Sequence, residues 1–258
     1  MRPTTTYSSF FLCLLVLLLT PDLQSALGAT DYTWTAPSGR WNDAANWMPN
    51  GIPGAGDRAI IATGAAVLIG NVTVAQLELS GGEVGTNNGS ALTVSQDLQW
   101  GGGIIGCDLT LQNTGTATFS GGSKILREGQ LVLNGNTQHQ SGDITVTQAP
   151  ASMVSAATYT LTSGTLNLAE LDRSFTNHGT FLLQTDGEVT SGTGLFVNAL
   201  SGSFTKTSGN GSTIFGSRFG QAGTFSHQTG DSLVFNDSLF LFTTLALNPG
   251  LVLRTSDV

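Results

Sequence analysis

Beyond residue 30 the chain is built of short apolar–polar bursts with period two: Leu131-Val132-Leu133, Tyr159-Thr160-Leu161, Thr165-Leu166-Asn167-Leu168, Leu233-Val234-Phe235 and Leu251-Val252-Leu253. Val, Ile, Thr and Phe fill these bursts, as half-buried strands require. No stretch after residue 30 sustains the i, i+3, i+4 spacing of an amphipathic helix. The pattern predicts strands of four to six residues separated by turns.

The turns repeat. Gly82, Gly102, Gly122, Gly142, Gly164, Gly187, Gly209 and Gly230 each sit between two such bursts, 20, 20, 20, 22, 23, 22 and 21 residues apart. Ser, Thr, Asp or Pro usually stands just before, a pairing that favours a turn with positive φ at the glycine. A second column contains Asn113, Asn134, Asn177, Asn198 and Gln221, with a member missing near position 155. Its wording recurs as LQNTGTATF, FTNHGTF, FVNALSGSF and FGQAGTF. Amides stacked at one position can hydrogen-bond up and down the stack, so these residues are expected to form a ladder. Positions that recur in phase predict an all-β chain wound as a single-stranded parallel β-helix, a β-solenoid of about nine to ten coils of 20–23 residues. An antiparallel sandwich would use similar strands but would not hold one glycine column in phase through eight repeats. One coil buries side chains worth on the order of 10 kcal/mol. Ordering its backbone costs roughly 20–40 kcal/mol. A coil therefore needs stacked neighbours.

Composition narrows the partners. With 9 basic and 17 acidic residues, a net charge of −8 and no basic cluster, the chain is not expected to bind nucleic acid. Residues 1–29 read as a signal peptide: Arg2, the apolar run Phe10–Leu19, then Pro21 and the small residues Ser25 to Ala29. That run is too short to span a bilayer, and no membrane span is expected elsewhere. Removing it leaves Cys107 alone, so no intramolecular disulfide is possible and the mature chain must be held by its own core. Sequons at Asn71, Asn88, Asn210 and Asn236 carry little weight in so Asn- and Ser-rich a chain.

The segment 30–63 differs from the repeats assigned to 64–258. It carries Trp34, Trp41 and Trp47, read first as a plug over the exposed end of the solenoid. The sharper reading makes them glycan-contact aromatics, with Trp100 beside Gly101–Gly103 as an outward ring on the side of the rod. The spacing W-x(6)-W-x(5)-W followed by Ile52-Pro53-Gly54-Ala55-Gly56-Asp57, with VTVAQLELSGGEV, LTVSQDLQWGGGIIG and FVNALSGSFTKTSGNGSTIFGSRFGQAGTF, resembles large secreted bacterial surface β-helix proteins. Autotransporter passengers and filamentous-haemagglutinin-like proteins are of this kind. The resemblance covers residues 31–240, implies a parallel β-helix at the cell surface, and identifies no reaction. It stops where those proteins would continue, and the lack of an evident cap after residue 240 raises the expectation of axial self-association.

Candidate chemistry is sparse. His139, His178 and His227 are expected to face solvent in different phases of the repeat, and Cys107 to be a small core residue. Asp143, Asp186, Glu188 and Asp231 flank turn glycines and are spaced along the rod. Neither a catalytic motif nor a metal or cofactor site is expected. Thr116/Thr118, Thr145/Thr147, Thr160/Thr162 and Thr205/Thr207 raise the idea of an ice-binding face. Counted from their glycines, only the last two pairs share a register, and strand propensity explains them more simply. The expectation is an exported, non-enzymatic, adhesin-like or scaffold protein that contacts glycans or cell-surface components, at the cell surface or outside the cell. The alternative is a polysaccharide-binding or polysaccharide-processing β-helix protein.

Overall fold

The computed structural model describes residues 29–86, 89–243, 246–247 and 252–255. The predicted signal peptide lies outside these residues except for Ala29. The chain is an all-β solenoid of about nine turns, and among the described residues the helical content is one 3-10 turn, Ala44–Asn46. Strands of successive coils pair in parallel. Leu131 stands beside Met153, then Phe175, Phe196, Phe219 and Leu239. These spacings of 20–23 residues match the predicted repeat.

A middle coil has three strands, for example Ser174–Asn177, Thr180–Leu183 and Gly187–Ser191. The first two join a 19-stranded sheet and the third an 11-stranded one. Early coils run through the first corner as single strands, Val72–Leu79 and Ala91–Trp100. From Asp108 onward that corner becomes a separate turn. Alternation then decides what faces in. In Thr180–Leu183, Phe181 and Leu183 are fully buried while Thr180 and Leu182 face outward.

Because register is kept, inward side chains stack in columns along the rod. Tyr159, Phe181, Phe204 and Phe225 form one such column, with centroids 5.2, 5.2 and 4.8 Å apart and rings within 13° of parallel. Phe175, Phe196 and Phe219 form a second, at 5.1 and 5.3 Å. Each buried ring contributes about 1.5–3 kcal/mol, and each ring pair about 0.5–1.5 kcal/mol more.

At the N-terminal end, Asp31–Trp34 pairs antiparallel with Trp47–Met48 and parallel with Arg58–Ile61. Trp47 packs edge-on against Trp34 at 5.0 Å and against Trp41 at 4.8 Å, and its Nε1 donates to the Trp41 carbonyl at 2.8 Å. All three indoles are buried and continuous with the first coil's Ala59 and Ile61. The Trp-rich segment is thus tied to the solenoid by both sheets, since Ser38–Arg40 also pairs with Ala65–Leu68.

The glycine column turns the chain between the second and third strands. Gly82, Gly142, Gly164, Gly187, Gly209 and Gly230 have positive φ as expected. In two coils the left-handed residue is displaced by one: Gly103 instead of Gly102, and Gly121 instead of Gly122. Space matters as well as φ. A Cβ on Gly142 would lie 2.4 Å from the carbonyl oxygens of both Gly121 and Gly122.

The amide ladder is real but shorter than the sequence suggested. Asn177 Nδ2 donates to Asn198 Oδ1 at 2.9 Å, and Asn198 Nδ2 to Gln221 Oε1 at 3.1 Å, all three side chains being buried. Ser155 holds the vacant position in this column. Asn113 and Asn134 are not members. The inward positions in their coils belong to Leu111 and Leu133, and the two amides fall in the turn beyond.

Candidate interaction surface

All four tryptophans are buried, so the sharper reading of Trp34, Trp41, Trp47 and Trp100 as surface platforms for sugar is overturned. Trp100 closes a ten-residue strand and shares the inward parity of Leu98. Its ring meets Phe119 edge-on at 5.5 Å instead of pointing outward.

The histidines also depart from expectation. His178 is exposed, but His139 and His227 are buried. Register puts both in one column: His139 beside Leu161, then Leu183, Lys206 and His227. Their phases are therefore the same. His139 Nδ1 is 2.9 Å from the Tyr159 hydroxyl and its Nε2 2.5 Å from the Gly142 carbonyl oxygen. A carbonyl only accepts, so Nε2 carries the proton and Nδ1 accepts from Tyr159. Burial, opposed by the Gly142 bond, pushes His139 down to about 4. His227 is lowered by burial and by the neighbouring Lys206 ammonium.

Two lysines are buried nearby, a feature that local sequence did not announce. Lys124 Nζ donates to the carbonyls of Gly122 at 2.9 Å and Ser141 at 2.8 Å, and burial lowers its pKa. Lys206 Nζ donates to Asp186 Oδ1 at 2.5 Å and to Gly211 O at 3.1 Å. The Lys206 hydrogen bond holds Asp186 below the usual carboxylate range.

Other turn acids and amides tie coils together. Asp108 Oδ1 accepts from Gln130 N at 2.8 Å, Asp143 Oδ1 from Thr165 N at 2.9 Å, and Asn71 Oδ1 from Ala91 N at 3.0 Å. Each bridges to the coil 20–22 residues on, supplying an acceptor to the N–H of a strand's first residue or, at Thr165, of the residue just before it. A cleft of about 450 Å³ is lined by Cys107, Asp108, Arg127 and Glu128 among others. Its thiol is no nucleophile: burial, with Asp108 and Glu83 nearby, pushes Cys107 up to about 12. Arg127 is held by Glu83, with Nη1 3.0 Å from Oε2.

The most regular feature of the surface is the outer face of the second strands, whose side chains are half-buried to exposed except for Thr160, which is 5% exposed. Thr116, Asn136, Thr158, Thr180, Ser203 and Thr224 form one file along the rod, and Thr118, Gln138, Thr160, Leu182, Thr205 and Ser226 the other. Of these twelve positions, eleven carry a hydroxyl or amide and none is charged or aromatic. Their mutual bonds are few and long, such as Ser203 Oγ to Thr180 Oγ1 at 3.3 Å and Gln138 Nε2 to Thr160 Oγ1 at 3.4 Å. The Thr register is therefore better than the sequence suggested. Thr118, Thr160 and Thr205 share a file, each four residues before its glycine, and their in-strand partners are Thr116, Thr158 and Ser203. Thr162 and Thr207 lie past the strand ends.

No helix among the described residues is long and apolar enough to cross a membrane. No protein-family model, curated protein or solved structure matches this chain.

Proposed function

We propose that this is an exported, non-enzymatic β-solenoid with an adhesin-like or extracellular scaffold role, making many weak contacts with neutral glycans or cell-surface components. The observation that carries this reading is the uncharged double file of hydroxyls and amides running from Thr116 to Ser226. One such contact contributes little, but a row held in fixed register presents many at once. The apolar run in residues 1–29 supports export. The non-enzymatic part is supported by the buried, protonated Cys107 thiol, the glutamate-bound Arg127, and the engagement of Asp143 by Thr165 N and of Asp186 by Lys206. The test is retention of the purified protein on a panel of insoluble polysaccharides and cell walls, with released reducing ends assayed in the supernatant. Retention without release is expected. Release of sugar ends would refute the non-enzymatic reading, and absence of retention would refute glycan contact.

A further inference from the structure

We propose that the double file binds the ordered surface of a crystalline, neutral polysaccharide in preference to dissolved chains of the same sugar; this rests on the glycan-contact reading above. Geometry comes first. Parallel pairing repeats each file at about 4.8 Å along the rod, and side chains two residues apart in a strand put the files about 6.6 Å apart. The array is therefore a lattice of six rungs, not a pocket shaped around one sugar.

Rigidity comes next. Directly behind four of the six rungs lies the inward column Tyr159, Phe181, Phe204 and Phe225, whose rings stack within 13° of parallel, and the buried Ala117 and Thr137 continue it behind the first two. Close packing fixes the Cβ positions in front of it. A rigid, periodic array matches a partner that is itself rigid and periodic.

The chemistry points the same way. A dissolved sugar is usually held by an aromatic face, and none stands in the array, since all four tryptophans are buried. What remains is hydroxyl and amide bonds, each contributing about 0.5–1.5 kcal/mol net. A flexible chain must be ordered as it lands, which offsets bonds of that size; a crystal face is already ordered. Charge selects a neutral polymer, because the chain carries −8 overall while the array has no basic residue to hold an anion.

The experiment compares adsorption isotherms of the purified protein on microcrystalline cellulose and chitin, on the same polymers swollen to amorphous gels, and on their soluble oligomers. Retention on a crystalline form at least tenfold tighter than on its gel is expected, with no measurable oligomer binding. Thr118→Lys and Thr205→Lys, which point outward, should weaken retention at least tenfold while the melting curve stays that of the parent. Thr145→Lys, outward on the other sheet, should bind as the parent does. Equal retention on crystal and gel would overturn the inference and leave the glycan reading standing. Parent-like binding by both array variants would overturn it by misplacing the surface. Loss of all sugar retention, with or without growth inhibition of ice crystals, would overturn both.

Discussion

His139 and Tyr159, on adjacent coils, share a buried hydrogen bond of 2.9 Å in which the imidazole is the acceptor. A protonated imidazole cannot accept it, and Lys124 is close enough to oppose the new charge. Burial above all, with the Lys124 charge adding to it, holds His139 near 4 in the folded state, whereas the unfolded chain titrates it near 6.5. Between those values the unfolded chain binds more protons, so stability is complete above about 6.5 and lost as pH falls toward 4. The loss is on the order of 3 kcal/mol, from about 1.4 kcal/mol per unit. Urea unfolding at pH 7, 5.5 and 4.5 should show this slope, flattened in His139→Leu. Parallel slopes would refute the assignment.

The amide ladder separates members from look-alikes. Asn198 also donates to Thr224 O at 2.7 Å, so Asn198→Ala strands buried partners on both sides. It should cost about 3 kcal/mol, at 1–3 for each unsatisfied group. Asn113→Ala, in an exposed turn, should stay within about 0.5 kcal/mol. Denaturation midpoints at unchanged m-value decide between them.

Gly142 and Gly187 both have positive φ, 72° and 90°, but only Gly142 is crowded. Gly187→Ala meets open space and should cost about 1–2 kcal/mol of backbone strain. Gly142→Ala adds a collision with two carbonyls of the preceding coil and should lower the melting midpoint by at least twice as much. Equal shifts would mean that the corner relaxes.

Lys206 and Asp186 should be unequal partners. Asp186→Ala leaves a buried ammonium with only the Gly211 carbonyl and should cost about 2 kcal/mol, after allowance for the 40% exposure of the Asp186 side chain. Lys206→Met removes the charge and keeps the volume, so it should cost less. Thermal melts of the two variants and of the double variant test the order.

The winding of the chain was legible because glycines and amides must recur wherever a corner recurs. Side-chain direction was less so. Trp100 reads as an outward residue beside Gly101–Gly103, but it belongs to the strand before them, and Leu98 two residues earlier gives its true parity. His139 and Lys206 also hold inward positions of their strands. Polar character argues for the outside, and only partners on other coils, Tyr159 and Asp186, make the inside tolerable. Those partners lie about 20 residues away, so no local window reveals them. The Thr array was obscured by pairing Thr160 with Thr162 instead of Thr158, across the end of the strand.

The irregular junction between the third strands has a mechanical consequence. Ladder bonds between coils run along the rod, so a pull from end to end loads the junctions in series, and the weakest yields first. Most junctions of the third-strand sheet pair three or four residues, whereas Leu166–Leu168 meets Gly187–Ser191 through only two, Leu166 with Thr190 and Asn167 with Ser191. Under tension the third-strand sheet should open there first, while the first- and second-strand pairings of the same two coils, four residues each, still hold the rungs of Thr158 and Thr180 together.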